Sequence, residues 1–410
     1  MFNKQVVLEQ TKKFDSFYLY DESKILEYTG QLKQDFEDVE FLYSIKTNPN
    51  PMIIKTIFSQ GFGADAASIG EVLLGGEYGL PKNKIYYSAP GKSKRDISEA
   101  MEISVIIADS ISEIMKIQEL AQEKGIVAEI GIRLNPDFTF YNHAGIPSKF
   151  GIDEKIVFEK SSLLEGLSNI KIIGIHVHSR SQELDAEVLK KYYENMFALA
   201  NSVQEKLNIS LQFINLGSGL GIPYSSQDKP LDTIALGKAT SELIKIFKEK
   251  LPHSAIFIET GRFAVSKSGV YVTKVLDKKT SYGKTFVILH NTLNGFIRPS
   301  LVQFVANYSQ DAKPMASEPL FTSIDAFDFI TLNGECEQEV VTLVGNLCTA
   351  IDVIAKDILM PKLKLDDVVV ITNAGSYAAA ISPMQFSSLV PPAQLFLSKN
   401  GEVIDTALFA

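Results

Sequence analysis

The chain is 410 residues long, 45% hydrophobic and 22% charged, with a formal net charge of −9. This composition is typical of a soluble globular protein, and a negative charge without any basic stretch argues against a nucleic-acid or anionic-membrane partner. No apolar stretch approaches transmembrane length, and two cysteines, Cys336 and Cys348, exclude a disulfide framework, so we expect a cytoplasmic protein.

Strand and helix patterns alternate through the first part of the chain. Residues 1–24 carry a strand-like FYLY (17–20), and between about 25 and 265 amphipathic helices such as Ile111–Lys124 and Ala186–Lys206 separate short apolar runs. The runs are FLYSIK, GFGADAA, IYYSA, VIIAD, AEIGIRL, IIGIHVHS, LQFINLG and AIFIET. Eight such units predict a (β/α)₈ barrel over residues 25–265, with functional residues at the C-terminal ends of the strands.

The pattern changes at about residue 266, where strands follow one another with few helices between them. The predicted strands are Gly269–Leu276, Thr285–Leu289, Glu339–Leu343, Asp367–Thr372 and Gln394–Leu397. They predict a C-terminal antiparallel β domain over residues 266–410.

Lys46 stands at the end of the first barrel strand, where a catalytic residue of such a barrel would lie. A lone lysine at such a position is most often a solvated surface residue. Motifs along the rest of the chain support a functional interpretation. They are YSIKTNP (43–49), GADAASIGEV (63–72), IRLNP (132–136), SKFGI (148–152), IHVHSRSQ (175–182), NLGSGLGIPY (215–224), ETGRF (259–263), NGFIRPSL (294–301), GNLCTAID (345–352) and NAGSYAAAISPMQF (373–386).

In this order and spacing the motifs resemble the fold-type III pyridoxal-phosphate decarboxylases, the family of diaminopimelate and ornithine decarboxylases. The resemblance implies an alanine racemase-like barrel, with the N-terminal strand of residues 1–24 joined to the C-terminal β domain. It also implies a homodimer with shared active sites and a pyridoxal 5′-phosphate cofactor.

The resemblance assigns roles at the reacting end of the cofactor. It implies that Lys46 holds the cofactor as a Schiff base, that His178 stacks on its ring and that Cys348, entering from a neighbouring subunit, donates a proton to the substrate carbon. Without the surrounding motif, Cys348 would more often be an inert buried cysteine. His176 is expected to be a satisfied barrel histidine.

Glu259 ends an apolar strand, where a buried carboxylate is costly unless it is paired. The resemblance implies that it binds the pyridine N–H. Alanine racemases of this fold carry an arginine there, so Glu259 favours a decarboxylase. Thr260 replaces the usual proline without altering that role.

The expected phosphate site combines a glycine-rich turn with polar side chains. The resemblance implies that the cofactor is also contacted by Ser181, Gly217, Ser218, Gly219, Gly261, Arg262, Tyr377 and, near its ring oxygen, Arg133. On its own the Gly217–Gly219 stretch would equally be an ordinary turn. Ser218 and Arg180 replace family glycines, and Arg180 either reaches an anion of the cofactor or substrate or points outward.

The substrate residues depart from the family. Arg298 is present, but Val302 stands where diaminopimelate decarboxylases have a tyrosine. Thr349 replaces the acidic residue that follows the cysteine, while Asp352 is retained. We therefore expect Arg298, Thr349, Asp352 and Arg180 to face a substrate without a free distal amine.

The leading hypothesis is α-decarboxylation of an amino acid that is modified or linked to a carrier protein, as in siderophore or antibiotic biosynthesis. A diaminopimelate decarboxylase is the alternative, which Val302 and Thr349 disfavour. A non-catalytic regulator with the same fold is a third hypothesis. It is disfavoured by the joint retention of four residues, Lys46, Glu259, Arg262 and Cys348.

Overall fold

The computed structural model describes residues 2–142, 144–308, 325–332 and 336–409. The chain begins with α1 (Lys4–Gln10), β1 (Ser16–Asp21) and α2 (Glu22–Asp35). The strands of the next region are β2 (Glu40–Ser44), β3 (Gly63–Ala66), β4 (Ile85–Tyr87), β5 (Val105–Ala108), β6 (Ala128–Asn135), β7 (Ile152–Asp153), β8 (Ile170–His176), β9 (Phe213–Asn215) and β10 (Ala255–Thr260). Its helices are α3 (Pro51–Ser59), α4 (Ile69–Glu77), α5 (Lys94–Ile103), α6 (Ile111–Lys124), α7 (Glu154–Glu159), α8 (Ser161–Glu165), α9 (Ala186–Lys206), α10 (Thr233–Phe247) and α11 (Arg262–Val265).

Eight of these strands form a closed parallel barrel. Their order is β5-β4-β3-β2-β10-β9-β8-β6, and pairing of β6 with β5 closes the ring, while β7 pairs with β6 outside it. The predicted (β/α)₈ barrel is confirmed, and α6 and α9 have the predicted bounds. Closure brings the C-terminal ends of all eight strands to one mouth.

Large aromatic side chains fill the barrel interior. The rings of Phe213 and Phe257 are stacked with their centroids 5.6 Å apart, and Tyr86 packs against both. A β-carbon on Gly174 or Gly131 would collide with the Phe213 ring. These two glycines therefore make room for Phe213.

Local sequence signals define the helices around the barrel. In α6, Ser110 accepts a hydrogen bond from the backbone of Glu113 and Gly125 ends the helix with φ of 65°. Its buried apolar residues, Ile114, Ile117 and Ala121, lie on one face at the helical period. Among the helices of the described ranges, none is both long and apolar enough to cross a membrane.

The remaining strands form a second sheet of nine strands that includes β1. Its elements after the barrel are β11 (Gly269–Ser281), β12 (Lys284–Leu289), α12 (Ile297–Tyr308), β13 (Phe329–Thr331), β14 (Gln338–Gly345), β15 (Val353–Pro361), β16 (Val368–Ile371), β17 (Ala393–Leu397) and β18 (Val403–Asp405). Antiparallel pairs predominate, as predicted, but β1–β17 and β12–β14 are parallel, so the sheet is mixed. The sequence analysis did not predict α12, β13, β15 or β18.

Strand β1 connects the two hydrophobic cores. Phe17 and Leu19 point into the core of the second sheet, while Tyr18 and Tyr20 point into the core shared with the barrel. This alternation follows from the two-residue period of a strand. The N-terminal strand therefore belongs to the second sheet and also helps to fix that sheet on the barrel.

Candidate active site

Lys46 lies in a short 3₁₀ turn (45–47) directly after β2, at the barrel mouth. Its Nζ donates a 2.8 Å hydrogen bond to Oδ2 of Asp65, and its side chain is 40% exposed. Partial desolvation lowers the pKa of Lys46, but the charges of Asp65, Tyr377 and Glu259 outweigh it and raise the pKa above its ordinary value. The amine is thus a charged group held in a recess.

Asp65, in β3, fixes the lysine. Its carboxylate is buried and also accepts hydrogen bonds from the hydroxyls of Ser44 at 2.8 Å and Ser88 at 2.5 Å. The backbone carbonyl of Ser88 in turn accepts a 3.1 Å hydrogen bond from Arg133, which is buried at the end of β6. Arg133 therefore lies close to the Lys46 network.

Glu259, in β10, is 2% exposed. Its Oε1 accepts a 3.0 Å hydrogen bond from the amide of Asn215 and lies 3.0 Å from Nε2 of His176. Burial raises the pKa of Glu259, but His176 and His178 outweigh it and hold the pKa well below its ordinary value. The site therefore holds a buried negative charge.

His178 follows β8 and faces the same carboxylate. Its Nδ1 accepts a 3.1 Å hydrogen bond from the backbone N–H of Ser218 and lies 3.5 Å from Oε2 of Glu259. Because Nδ1 is an acceptor, the ring proton of the neutral form is on Nε2, which is 3.5 Å from the Ser181 hydroxyl. Burial lowers the pKa of His178, although the neighbouring carboxylate of Glu259 opposes that shift.

Two loops next to His178 approach each other closely. Gly217 has φ of 71°, and a β-carbon there would collide with the carbonyl oxygen of Val177. The φ angle of Ser218 is not positive, so a residue with a β-carbon can take the place of a glycine there. The N–H of Glu183 donates a 2.8 Å hydrogen bond to the carbonyl of Gly219, which joins the loops on either side.

Arg262 is buried at the start of α11. Its Nη1 donates a 2.8 Å hydrogen bond to the Tyr224 hydroxyl, whereas Nε and Nη2 are buried without a partner. The Tyr377 ring lies 5.2 Å from its guanidinium, and Gly261 packs tightly on Thr47 beside Lys46. The second sheet supplies Tyr377, whose N–H donates a 2.9 Å hydrogen bond to the Thr47 carbonyl.

These residues fit pyridoxal phosphate. The unpartnered N–H groups of Arg262 and the backbone approach at Gly217 suit a phosphate, which needs buried donors. The buried charge of Glu259 suits a protonated pyridine nitrogen, and Lys46 offers an amine at the same mouth. The part of the chain that the structure describes holds no cluster of metal-ligating side chains.

Arg180 is half-buried on the loop between His178 and Ser181. Its guanidinium lies 5.1 Å from the ring of Tyr141, whose hydroxyl donates a hydrogen bond to the carboxylate of Glu183. The Nε of Arg180 is buried without a partner. The side chain therefore packs on Tyr141, on the loop that follows β8 at the barrel mouth.

Cys348 and Thr349 lie on a loop of the second sheet, between β14 and β15. Cys348 is exposed and Thr349 is partly exposed. Asp352 is buried and holds the loop, because its carboxylate accepts hydrogen bonds from the Leu293 N–H at 3.0 Å, the Leu347 N–H at 3.1 Å and the Thr292 hydroxyl. Within one chain, the structure does not bring the predicted residue Asp352 into the mouth.

Arg298 and Val302 are both on α12 and both 0% exposed. The Nη1 of Arg298 donates a 2.9 Å hydrogen bond to the Ser376 carbonyl, and its guanidinium lies 5.4 Å from the Tyr224 ring. The expected contact of Arg298 with a substrate's distal group would therefore have to form beneath the surface. Val302 is a residue of the hydrophobic core.

Sequence reasoning missed Asp65, Asn215 and Tyr224. All three lie within quoted motifs, and Asp65 and Asn215 are polar residues at the ends of buried strands. That placement was a usable signal, since a buried polar group needs a partner. The position of Tyr224 between two arginines depends on α12 and carried no local signal.

Comparison with known proteins agrees with this geometry. Residues 22–266 match the family model described as the pyridoxal binding domain of pyridoxal-dependent decarboxylases. The L-glutamyl-[BtrI acyl-carrier protein] decarboxylase of Niallia circulans is 32% identical over 405 residues, covering 95% of this chain and 90% of that protein. A diaminopimelate decarboxylase of Aquifex aeolicus is 28% identical over 393 residues, covering 94% and 87%. The crystal structure of Helicobacter pylori diaminopimelate decarboxylase with L-lysine superimposes with a TM-score of 0.83 at 27% identity, covering 98% of this chain and 96% of that one.

Proposed function

Because the chain belongs to the pyridoxal-dependent decarboxylases, we propose that it removes the α-carboxyl group of a modified or carrier-linked amino acid, in biosynthesis of the antibiotic or siderophore type. The relative from Niallia circulans acts, by its name, on a glutamyl group carried by an acyl-carrier protein. The relatives named diaminopimelate decarboxylases make that activity the second candidate. We expect the enzyme to work in the cytoplasm.

The cofactor site is proposed residue by residue. Lys46 would hold pyridoxal phosphate covalently through Nζ, with Asp65 orienting the amine. Glu259 would accept the pyridine N–H, and His178 would pack on the ring. The phosphate would be held by Ser181, Gly217, Ser218, Gly219, Gly261, Arg262 and Tyr377, with Arg133 near the ring oxygen.

When bound, pyridoxal phosphate supplies an electron sink for the electron pair left on the α-carbon as carbon dioxide departs. The buried negative charge of Glu259 favours that sink because it keeps its hydrogen-bond partner protonated. The amine of Lys46, raised in pKa and held by Asp65, stays in place to take up or return protons at the mouth.

Cys348 is proposed to deliver the proton that replaces the lost carboxylate. Its exposed position on a loop of the second sheet suits a residue that reaches another chain. We propose a homodimer in which each site combines Lys46 of one chain with Cys348 and Thr349 of the other. Asp352 would then be a positioning residue for the loop rather than a substrate ligand.

Thr349 is the observation that carries the substrate proposal. A threonine beside Cys348 offers no carboxylate to a distal ammonium group, and leaving such a group unpaired costs about 2–5 kcal/mol. A neutral acyl linkage to a carrier needs no such partner. Arg180, packed on Tyr141 at the rim, is proposed to line the path of the longer substrate.

The test is carbon dioxide release from a panel of meso-diaminopimelate, lysine, ornithine, glutamate, glutamyl-carrier protein and citryl-diaminopropionate. We expect a conjugated substrate to exceed the free diamines at least about 30-fold in kcat/KM. Efficient turnover of diaminopimelate alone would instead support the second candidate.

A specificity variant sharpens this test. Thr349→Glu should raise kcat/KM for diaminopimelate, and the matched variant Thr349→Gln, of similar size but uncharged, should not. Adding Val302→Tyr is unsuitable, because Val302 is fully buried and a larger side chain there would overpack the core. If both Thr349 variants behave alike, charge at this position does not decide the substrate.

A further inference from the structure

Tyr224 lies between two buried arginines, beneath the proposed phosphate site. Its hydroxyl oxygen accepts a 2.8 Å hydrogen bond from Nη1 of Arg262. The guanidinium groups of Arg262 and Arg298 lie 5.6 Å and 5.4 Å from the centroid of its ring. All three side chains are buried, with exposures of 7%, 6% and 0%. One phenol is therefore shared by two positive charges.

Within the described ranges, the two arginines have no acidic partner, and the hydrogen-bond acceptors of Arg262 and Arg298 are the Tyr224 hydroxyl and the Ser376 carbonyl. The Nε and Nη2 groups of both are buried without any hydrogen-bond partner. Buried charges that are not compensated are strongly unfavourable, so an anion has to stand nearby.

The other groups around the Tyr224 hydroxyl favour a negative oxygen. The hydroxyls of Ser266 and Ser376 lie 3.1 Å and 3.5 Å from it. Lys267 adds a third cation, 5.9 Å from the ring centroid. Asp228 is the nearby acid, but its carboxylate is occupied by the backbone N–H groups of Tyr224 and Ser225.

Tyr377 completes the surroundings, since its ring lies 5.2 Å from the guanidinium of Arg262. The cations therefore outnumber the anions around the phenol. Burial raises the pKa of Tyr224, but Arg262 and Arg298 outweigh it and lower the pKa to about 7.

We propose that Tyr224 is the internal counter-ion of Arg262 and Arg298, with its phenol deprotonated until an external anion binds the two arginines. An anion that binds there replaces the phenolate as counter-ion, and the phenolate then takes one proton from water. Anion binding is thereby coupled to uptake of a proton. This inference concerns the site of the proposed function, but it does not depend on which amino acid is decarboxylated.

The first test is ultraviolet titration of tyrosinate in the full-length chain, with and without cofactor. The chain has 15 tyrosines and no tryptophan, so tyrosinate absorption is read without overlap from indole. The difference between wild type and Tyr224→Phe should show one tyrosine ionising near neutral pH in the cofactor-free chain, and at higher pH once cofactor is bound. The matched variant Tyr377→Phe should keep the signal.

Other buried tyrosines should not interfere with this measurement near neutral pH. Burial raises the pKa of Tyr43, Tyr192 and Tyr271, so they ionise only at higher pH. If Tyr224→Phe does not fold, wild type alone gives the answer. One fifteenth of the total tyrosinate amplitude should then appear near neutral pH. Absence of any ionisation below about pH 9 would overturn the proposal.

The second test uses sulfate, which remains a dianion over this pH range and so adds no titration of its own. Its dissociation constant from the cofactor-free full chain, measured by calorimetry from about pH 6 to about pH 9, should rise by up to about tenfold per pH unit above neutrality. Tyr224→Phe should remove that rise. Equal pH dependence in both proteins, or no sulfate binding to wild type, would contradict the coupling. Neither test involves turnover, so their failure is distinguishable from failure of the proposed activity.

Discussion

The barrel mouth and the Cys348 loop, the two halves of the proposed site, differ in how the chain supports them. At the mouth, Asp65 holds Lys46 and Asn215 holds Glu259 through buried hydrogen bonds. The loop instead leaves Cys348 exposed and is anchored from below by Asp352. One chain thus supplies all the residues proposed to hold the cofactor, whereas its proposed proton donor is exposed on a loop of the second sheet.

The difference teaches that burial and function need not coincide. A group that must keep its charge while buried, such as Glu259, needs rigidly held partners, because only fixed partners can offset the loss of water. A proton donor that enters from a second chain must stay exposed until the two chains meet.

The largest effect is expected at Lys46. Lys46→Ala should lower decarboxylation on the order of 10,000-fold or more and remove the visible absorbance of the attached cofactor, because no amine remains to hold it. It also leaves Asp65 as a buried carboxylate with only Ser44 and Ser88 as partners. Turnover assays and absorbance spectra provide the measurement.

Lys46→Arg is the matched control, since it keeps a cation beside Asp65 but cannot form the covalent link. It should fold with near wild-type stability and still lack the absorbance. An unchanged spectrum in either variant would show that another residue holds the cofactor.

A large effect on turnover is also expected when Cys348 in the loop is replaced. Cys348→Ala should keep cofactor bound but slow turnover by about 100- to 10,000-fold, the usual range for loss of a general acid. Cys336→Ala provides the control, because Cys336 is the other cysteine and is also exposed. Equal rates in the two variants would remove Cys348 from the mechanism.

Asp352 tests the support of the loop. In Asp352→Asn one side of the carboxylate becomes a donor, so the hydrogen bonds from Leu293 or from Leu347 must break. We expect the free energy of unfolding to fall by about 1–3 kcal/mol and kcat to fall with cofactor affinity unchanged. Asp38→Asn, at an exposed position, is the control for denaturant titration. A drop in cofactor affinity as large as that in kcat would mean that the loop also supports cofactor binding at the mouth.

The smallest effect concerns the pH dependence of stability. The pKa of Tyr224 is about 7 in the folded chain and about 10 when unfolded, so its contribution is lost as pH falls through 7 and grows as pH rises toward 10. Between about pH 7 and pH 8, wild type should gain about 1 kcal/mol relative to Tyr224→Phe.

The contribution of Glu71 to the pH dependence of stability has the opposite sign to that of Tyr224. The effect of Tyr224 must therefore be measured as a difference between wild type and Tyr224→Phe. Burial raises the pKa of Glu71 to about 7, so its contribution is present at low pH and lost as pH rises through 7. Urea titrations of both proteins at each pH cancel the Glu71 contribution. Parallel stability curves for wild type and Tyr224→Phe would contradict the ionised Tyr224.

The sequence predicted much of the fold, because each barrel strand is a continuous apolar run and buried parallel strands have that pattern. It did not predict α12, whose IRPSL start carries a proline and resembles a turn. Nor could it predict the parallel pairs β1–β17 and β12–β14, because pairing between distant strands leaves no local pattern.

The candidate site was predictable where a motif carried it. Lys46 and Glu259 lie at strand ends, which the sequence marks. The burial of Arg298 and the anchoring role of Asp352 were not predictable, because both depend on contacts with residues distant in the chain. Motifs therefore identified residues, while their roles required the packing around them.

The most direct test of the account is subunit complementation between Lys46→Ala and Cys348→Ala. If a site combines Lys46 of one chain with Cys348 of the other, each mixed dimer has one intact site and one that lacks both groups. Equal mixing makes half of the dimers mixed, so activity should return to about a quarter of wild type. Activity that stays at the sum of the two parents, after subunit exchange has been verified, would contradict the shared site.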